Sequence, residues 1–285
     1  MHPYPFAYHR ATSVEDALTV LAAHEEDGKL LAGGQSLLPV MKLRLASPGT
    51  IVDITGLSEL RGVSLVGEAV EIGALTTHHD IETDPVLAQH VPLLPAIAHV
   101  VGDQQVRHRG TFGGTLAHAD AAGDYPAGVL ALGAEIVVQG PDGERVIPID
   151  DFFLGFLTTA LAPNELITRV RIPVPPTGAG WNYQKLANPA SGYAIVGVAV
   201  LLTTGEGGAI ETLRIGITGT SDIAYRPTAT EDALIGSSPD PEAITAAAAL
   251  ATDGVDILGD QHAPVDYRTR VTQNLVRRAI EDALR

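Results

Sequence analysis

Residues 32–36, Ala-Gly-Gly-Gln-Ser, directly follow the short apolar run Lys29-Leu30-Leu31. A glycine pair after a buried strand lets backbone amides come close to a phosphate group. A second such element, Thr-Phe-Gly-Gly-Thr, lies at residues 111–115. Either pair alone is typical of an ordinary tight turn, because glycine readily adopts positive φ. Together the two turns predict a cradle for one extended pyrophosphate.

Neither glycine element matches the common phosphate-binding signatures. The chain has no G-x-G-x-x-G motif opening a helix within a βαβ unit, and it has no G-x-x-x-x-G-K-[ST] motif. The sequence therefore disfavours both a Rossmann fold and a P-loop fold.

Composition excludes several classes of function. The 285 residues suffice for two domains, and the absence of cysteine excludes disulfides, thiolate zinc sites, a cysteine nucleophile and any iron-sulfur cluster held by this chain alone. A formal net charge of -16 argues against binding to nucleic acid or to an anionic membrane surface. Residues 1–6 lack the features of a signal peptide, and no apolar run is long enough to span a membrane. We expect a soluble, cytoplasmic protein.

The pattern along the chain predicts an α+β fold. Ser13 is a candidate N-cap for a helix with an apolar stripe, and residues 50–54 form a candidate buried strand. Antiparallel strands are expected around residues 70–75 and 134–138, flanking a helical middle, with further strands and helices towards the C-terminus. The proline-rich segment 172–180 is the best linker. We therefore predict domains at residues 1–175, with subdomains 1–57 and 58–175, and at residues 176–285.

Metal and hydrolase sites find little support in the sequence. His78 and His79, interpreted as strand residues, would point to opposite faces, and His118 and Asp120 lack a ligand partner at helical spacing. Ser36 is not part of a G-x-S-x-G elbow. We expect no metal site and no catalytic residue for hydrolysis.

Longer runs around both glycine elements resemble a known family. Residues 31–39, 109–120 and 192–199 look like the FAD-binding medium subunits of molybdenum hydroxylases (the xanthine dehydrogenase family), with carbon monoxide dehydrogenase as the nearest type. The likeness extends to residues 266–268 and to Arg277-Arg278, so it covers essentially the whole chain. It implies a two-part FAD-binding domain of the vanillyl-alcohol-oxidase (PCMH) type, followed by a domain in which a small antiparallel sheet packs with helices.

The resemblance also implies which residues hold FAD. The first turn would wrap the pyrophosphate with backbone amides, and the second would do so from the other side. The turn residues that the resemblance implies as FAD-binding are Ala32, Gly33, Gly34, Gln35, Ser36, Leu37, Thr111, Gly113, Gly114 and Thr115.

Further cofactor contacts follow from matching positions in the family. Asp124 would lie near the adenosine end of FAD with His118 on the same stretch, and Lys185 would lie near the flavin ring, where a cation favours the anionic reduced flavin. Lys185 is alternatively a solvated strand lysine, and Tyr193 is either a residue that stacks on or gates the flavin or a packing tyrosine. The less specific apolar positions are Val101 and Ile167.

One departure from the family concerns the electrostatics of the flavin's reactive edge. Many relatives carry an acidic residue where Gly192 stands and basic residues where Asn188-Pro189-Ala190 stand. No cysteine is present to attach the flavin, so we expect non-covalent FAD, with attachment through a histidine as the alternative.

The function implied by the resemblance is electron transfer within a larger complex. A large molybdenum-pterin subunit would oxidise the substrate, and the [2Fe-2S] clusters of a small subunit would pass electrons to FAD in a dimer of heterotrimers. The flavin would then reduce a quinone, cytochrome, dioxygen or NAD, and an acceptor of that kind would allow peripheral association with a membrane. The alternatives are a medium subunit acting with an aldehyde, xanthine or N-heterocycle hydroxylase, a stand-alone flavin oxidase, and a scaffold that has lost FAD.

Overall fold

The N-terminal unit is a small parallel sheet with two helices. The structure, a computed structural model, describes residues 2–285. The unit contains β1 (Ala7–Arg10), α1 (Val14–Ala23), β2 (Gly28–Leu31), α2 (Leu37–Lys42) and β3 (Thr50–Asp53). The strand order is β1-β3-β2, and β3 is buried along its length. The side chain of Ser13 accepts from the Asp16 amide at 3.0 Å, which confirms the predicted start of α1.

The second unit is an antiparallel sheet interrupted by a group of helices. Its strands are β4 (Val63–Val66), β5 (Ala69–Gly73), β6 (Glu135–Gly140), β7 (Gly143–Pro148) and β10 (Leu166–Pro173), in the order β4-β5-β10-β6-β7, with a separate hairpin of β8 (Phe153–Gly155) and β9 (Thr158–Thr159). Between β5 and β6 lie α3 (His78–Thr83), α4 (Pro85–His90), α5 (Leu93–His99), α6 (Gln104–Arg107), α7 (Phe112–His118) and α8 (Asp124–Leu132). The prediction of strands flanking a helical middle is confirmed.

One local prediction is wrong. His78 and His79 open helix α3, whereas the sequence pattern had placed them on a strand. The side chain of Thr77 accepts from the Asp80 amide, and the Asp80 carboxylate accepts from the Thr77 amide. This capping box stabilises the helix start and outweighs the β-propensity of the preceding threonines.

The C-terminal unit is an antiparallel sheet covered by helices. It contains β11 (Gly180–Ala187), β12 (Ala194–Thr204), β13 (Ile210–Thr218), α9 (Thr228–Leu234), α10 (Pro241–Ala249) and α11 (Val265–Ala283), with strand order β11-β12-β13. The link from β10 to β11 spans residues 174–179 and includes Pro175 and Pro176. Among residues 2–285, no helix combines the length and apolar character needed to cross a bilayer.

Helix α8 joins the second unit to the C-terminal unit. All of its residues are buried, and it packs against β12 and β13 as well as α5. A Cβ at Gly216 would lie 1.9 Å from the Ala127 carbonyl oxygen, so the glycine allows helix and sheet to approach closely. Asp124, the first residue of α8, consequently lies where the two units meet.

Candidate cofactor-binding site

The first glycine turn presents a row of unused backbone donors. It connects β2 to α2, and Gly34 has a φ of +73°. The amides of residues 32–37 have no hydrogen-bond acceptor within residues 2–285. Consecutive free amides in a turn form a concave anion site, because their partial positive charges converge. The turn therefore has the donors that a phosphate requires.

The second glycine turn is fastened to the chain that precedes α3. Its Phe112 and Gly113 amides donate to the carbonyl oxygens of Thr76 and Ala74 at 3.0 and 2.9 Å. These two donors are therefore committed to the fold. The Gly114 amide has no backbone acceptor in the described chain, and the buried hydroxyl of Thr111 has no partner there either. These two groups are what the second turn can offer a ligand.

The two turns are in direct contact. A Cβ on Gly33 would lie 2.2 Å from the Arg109 carbonyl oxygen and 2.8 Å from the Gly110 Cα. A Cβ on Gly114 would lie 3.7 Å from the Ala32 Cβ. Only glycine at residue 33 permits this approach of the two backbones, whereas the distance across Gly114 is an ordinary van der Waals contact.

Charge as well as shape at the turns suits a pyrophosphate. No acidic residue occurs between Asp27 and Asp53, a stretch that contains the first turn and the lysines Lys29 and Lys42. A pyrophosphate carries negative charge and is stabilised by free amides that point at it. The residues present therefore fit the FAD pyrophosphate that the family resemblance implies.

Asp124 and Lys185 form a buried ion pair. The Lys185 Nζ lies 2.8 Å from Asp124 Oδ1 and also donates to the Val100 carbonyl oxygen at 3.0 Å, while the Tyr183 hydroxyl donates to Asp124 at 2.6 Å. Burial raises the pKa of the Asp124 carboxyl, and Lys185 and Tyr183 oppose that shift. The Lys185 side chain is only 7% exposed, so its interpretation as a solvated lysine is wrong.

The ion pair constrains where FAD can lie. Sequence matching placed Asp124 near the adenosine end of FAD and Lys185 near the flavin ring, yet the two side chains touch. An extended FAD cannot bring both of its ends to one ion pair. The two placements therefore exclude each other, and the lysine charge is already compensated by the carboxylate.

Tyr193 lies on a loop that returns from the C-terminal unit to the first turn. The Asn188 amide donates to the Tyr193 carbonyl oxygen at 2.8 Å, and Gly192 adopts a φ of +75°. Burial and the Asp120 carboxylate raise the pKa of the Tyr193 hydroxyl, whereas the neighbouring Ser36 hydroxyl lowers it. Its side chain is 42% exposed, which is unlike a core tyrosine and leaves the ring accessible beside the turn.

The remaining candidates are more scattered. His118 Nε2 lies 4.0 Å from an Asp120 carboxylate oxygen, and Val101 packs partly buried against the main core. Ile167 is buried in that same core, whereas its neighbour Leu166 packs in the cluster that includes Ala32. Because side chains alternate along a strand, Ile167 faces away from the cluster beneath the first turn.

Sequence reasoning missed the role of His78 behind the second turn. Its ring is 3% exposed, and its Nε2 lies 3.5 Å from the Thr115 hydroxyl. A Cβ on Gly110 would lie 2.5 Å from that nitrogen, so the glycine before the second turn makes room for the imidazole. The Tyr125 ring lies 5.2 Å away. Two features of the sequence point to this position of His78: the glycine at residue 110 and the capping residue Thr77.

Burial keeps His78 neutral. Burial, together with the Arg107 charge, lowers its pKa to about 4. Its Nδ1 has no hydrogen-bond partner within residues 2–285, and the buried Tyr125 hydroxyl has none there either. Across the described part of the chain, no three histidine or carboxylate side chains are grouped to hold a metal. His78 is thus placed to support the second turn as a neutral group.

Replacing Lys185 with methionine tests the buried pair. We expect Lys185→Met to lower the free energy of unfolding by about 3 kcal/mol, because Asp124 then stays buried without its cation. Chemical denaturation of the FAD-free chain measures this change. The double variant Lys185→Met/Asp124→Asn should recover part of the loss, and a single variant as stable as the wild type would contradict the account.

The pH dependence of stability tests His78. A pKa of about 4 in the folded chain, against about 6.5 unfolded, means that the unfolded chain binds more protons between these values. Stability attributable to His78 is therefore fully present above pH 6.5 and is lost as pH falls through 4, by roughly 3 kcal/mol. When denaturation is measured at several pH values, the free energy of unfolding of His78→Gln should fall less with decreasing pH than that of wild type. The exposed control His108→Gln should follow wild type, and parallel curves for all three would contradict the assignment.

Comparison with known proteins agrees with this geometry. Residues 4–175 match the family described as the FAD binding domain in molybdopterin dehydrogenase, and residues 181–283 match the carbon monoxide dehydrogenase flavoprotein C-terminal domain. The chain is 38% identical to the carbon monoxide dehydrogenase medium chain of Hydrogenophaga pseudoflava, covering 99% of this chain and 98% of that protein. It is 39% identical to the nicotine 6-hydroxylase medium subunit of Paenarthrobacter nicotinovorans, covering 97% of this chain and 96% of that protein.

Solved structures give the same result. A chain of carbon monoxide dehydrogenase from Hydrogenophaga pseudoflava superposes with a TM-score of 0.97 at 40% identity, covering 99% of this chain and 98% of that chain. A chain of quinoline 2-oxidoreductase from Pseudomonas putida 86 superposes with a TM-score of 0.93 at 34% identity, covering 100% and 98%. The paired glycine turns and their unused amides agree with this full-length similarity. The chain therefore belongs to the family of FAD-binding medium subunits of molybdenum hydroxylases.

Proposed function

We propose that this chain carries electrons in a carbon monoxide dehydrogenase. In that complex a large molybdenum-pterin subunit would oxidise the substrate and a small [2Fe-2S] subunit would relay the electrons, and this chain would hold the FAD through which they reach an external acceptor. The observation that carries the FAD assignment is the row of free amides at residues 32–37, in contact with the second turn. Bound FAD supplies the capacity to take electrons singly and release one or two.

The chain's own residues have positioning roles in this proposal. The amides of residues 32–37 and of Gly114 hold the pyrophosphate, with Gln35, Ser36 and Leu37 at the start of α2. The Asp124–Lys185 pair lines the site where the units meet, and Tyr193 covers its accessible side. His118 and Val101 border the site, and Ile167 supports it from within the core. FAD is held without a covalent bond: the chain has no cysteine to attach it, and attachment through a histidine is the alternative that acid denaturation tests.

The substrate has a second candidate. Medium subunits of a carbon monoxide dehydrogenase and of a nicotine hydroxylase are similar to this chain at 38% and 39% identity. Identity at this level does not separate an N-heterocycle or aldehyde hydroxylase from a carbon monoxide dehydrogenase, because the large subunit holds the substrate. The acceptor is a quinone, a cytochrome, dioxygen or NAD.

The assembly and location belong to the same proposal. The complex is a dimer of heterotrimers in the cytoplasm, associated with the membrane at most peripherally through its acceptor. Within the chain, the FAD-binding domain comprises residues 1–175 with subdomains 1–57 and 58–175, and the C-terminal domain comprises residues 176–285. The proline-containing link at residues 174–179 supports that boundary.

An absorption spectrum of the natively purified protein, with co-purifying chains identified by mass, tests the proposal. We expect flavin and iron-sulfur absorbance, molybdenum and two partner chains, and then turnover of carbon monoxide but not of aldehydes or N-heterocycles. After acid denaturation the yellow colour should stay in the supernatant. Flavin without partners would favour a stand-alone oxidase, and a colourless protein would contradict the FAD assignment.

Replacing Gly33 with alanine tests the contact between the turns. The new methyl group would collide with the Arg109 carbonyl oxygen, 2.2 Å from the Cβ position, and would force the turns apart. We expect the FAD retained per chain to fall at least ~10-fold in Gly33→Ala, because several charge-assisted hydrogen bonds weaken together. Released flavin per mole of chain is the measurement. Gly155→Ala, which meets only Thr158 at 3.9 Å, is the matched control, and equal flavin in both variants would refute the site.

A further inference from the structure

The side chains of His78 and Thr115 meet behind the second glycine turn. The His78 Nε2 lies 3.5 Å from the Thr115 hydroxyl oxygen, at the long end of hydrogen-bond distances. Within residues 2–285 the Thr115 hydroxyl has no other hydrogen-bond partner. The His78 ring is buried, whereas Thr115 is half-buried and follows Gly114 in the turn. Thr115 is thus accessible from outside the fold, and the imidazole lies behind it.

The surroundings of His78 indicate which of its ring nitrogens carries the proton. Burial lowers the pKa of His78 to about 4, so at neutral pH the imidazole has one N–H donor and one acceptor nitrogen. Its Nδ1 has no hydrogen-bond partner in the described chain. In proteins, buried N–H groups without an acceptor are rarer than buried acceptors with a free lone pair. This favours the proton on Nε2, which then donates to the Thr115 hydroxyl oxygen.

That position of the proton determines what the Thr115 hydroxyl can do. A hydroxyl has a single hydrogen to donate. When its oxygen accepts from His78, this hydrogen points away from the imidazole, and no acceptor among residues 2–285 takes it. The Gly114 amide and the buried Thr111 hydroxyl are also without an acceptor there. The Thr111 oxygen lies 2.6 Å from the position of a Cβ on Gly114, so the second turn gathers three unused donors.

Resting on the proposed function, we propose that His78 is a positioning residue for the cofactor phosphate. By donating from Nε2 it directs the Thr115 hydroxyl hydrogen at a phosphate oxygen, next to the Gly114 amide. A hydroxyl that donates to an anion becomes a stronger acceptor itself, so the two hydrogen bonds strengthen each other. His78 therefore acts on FAD through Thr115 and does not touch the cofactor.

A cycle of single and double variants tests this dependence on Thr115. The natively purified protein is freed of FAD, and its FAD affinity is measured by calorimetric titration for wild type, His78→Phe, Thr115→Val and the double variant. We expect each single variant to bind FAD about tenfold more weakly, because one hydrogen bond to a charged group is lost. The double variant should bind FAD no more weakly than Thr115→Val, because both changes remove the same hydrogen bond.

Two further variants separate the hydrogen bond from the packing of the ring. In His78→Gln a side-chain amide N–H takes the place of Nε2–H, so FAD affinity should stay within about threefold of wild type. Thr83→Val is the matched threonine control, because Thr83 is exposed on helix α3 and its hydroxyl donates only to the His79 carbonyl oxygen. This control should bind FAD as tightly as wild type.

The site of the proton is measured independently in the wild-type protein. NMR of isotopically labelled histidine nitrogens distinguishes the two neutral forms of imidazole, and the His78 signal is the one that His78→Gln lacks. We expect the proton on Nε2. A proton on Nδ1 would overturn the proposal whether or not His78→Phe folds, because Thr115 would then have to spend its hydrogen on His78.

The outcomes separate this proposal from the proposed function. A wild-type protein that binds no FAD would overturn the proposed function and the role of His78 with it. If wild type binds FAD and the losses of the two single variants multiply in the double variant, only the role of His78 is overturned, because a space-filling ring acts independently of Thr115. Wild-type FAD affinity in His78→Phe would overturn that role as well.

Discussion

The approach of Gly33 to the backbone of Arg109 and Gly110 is the contact on which the cofactor site depends. A side chain at residue 33 would meet the Arg109 carbonyl oxygen at 2.2 Å, so the two turns can meet only as bare backbone. The contact joins the parallel N-terminal sheet to the helical group of the second unit. It brings the first turn, with the free amides of residues 32–37, against the second turn, where the Gly114 amide is free of a backbone acceptor among residues 2–285. A ligand with two phosphates can accept hydrogen bonds from donors on two separate loops.

The polar groups behind this contact are buried, and they make the site rigid. Asp124 starts α8, which packs against both the helical group and the C-terminal sheet, and its carboxylate holds Lys185 from β11. A buried pair of this kind contributes more to a unique arrangement of the units than to net stability, because desolvation offsets much of the attraction. His78 has a comparable position under the second turn. The site therefore depends on all three units of the chain.

The sequence predicted those features that local chemistry determines. The Ser13 cap, the strand before the first turn and the buried strand at residues 50–54 all follow from short-range rules, and the structure has each of them. The ion pair was not predictable, because Asp124 and Lys185 are 61 residues apart and each has a plausible solvated role. His78 lies on a helix and not on the predicted strand, because the capping box of Thr77 and Asp80 starts α3 there. Family resemblance pointed to the residues of the site, but only the fold showed that Asp124 and Lys185 cannot serve opposite ends of FAD.

The most direct test of whether the two turns hold a pyrophosphate compares the affinities of the FAD-free chain for FAD and for riboflavin. Both are measured by calorimetric titration. Riboflavin has the same ring system but no phosphate, so it cannot use the amides of residues 32–37. We expect FAD to bind at least ~100-fold more tightly than riboflavin, since each hydrogen bond to a charged group contributes about 1.5–3 kcal/mol. Equal affinity for the two ligands would contradict it, because the ring alone would then account for binding.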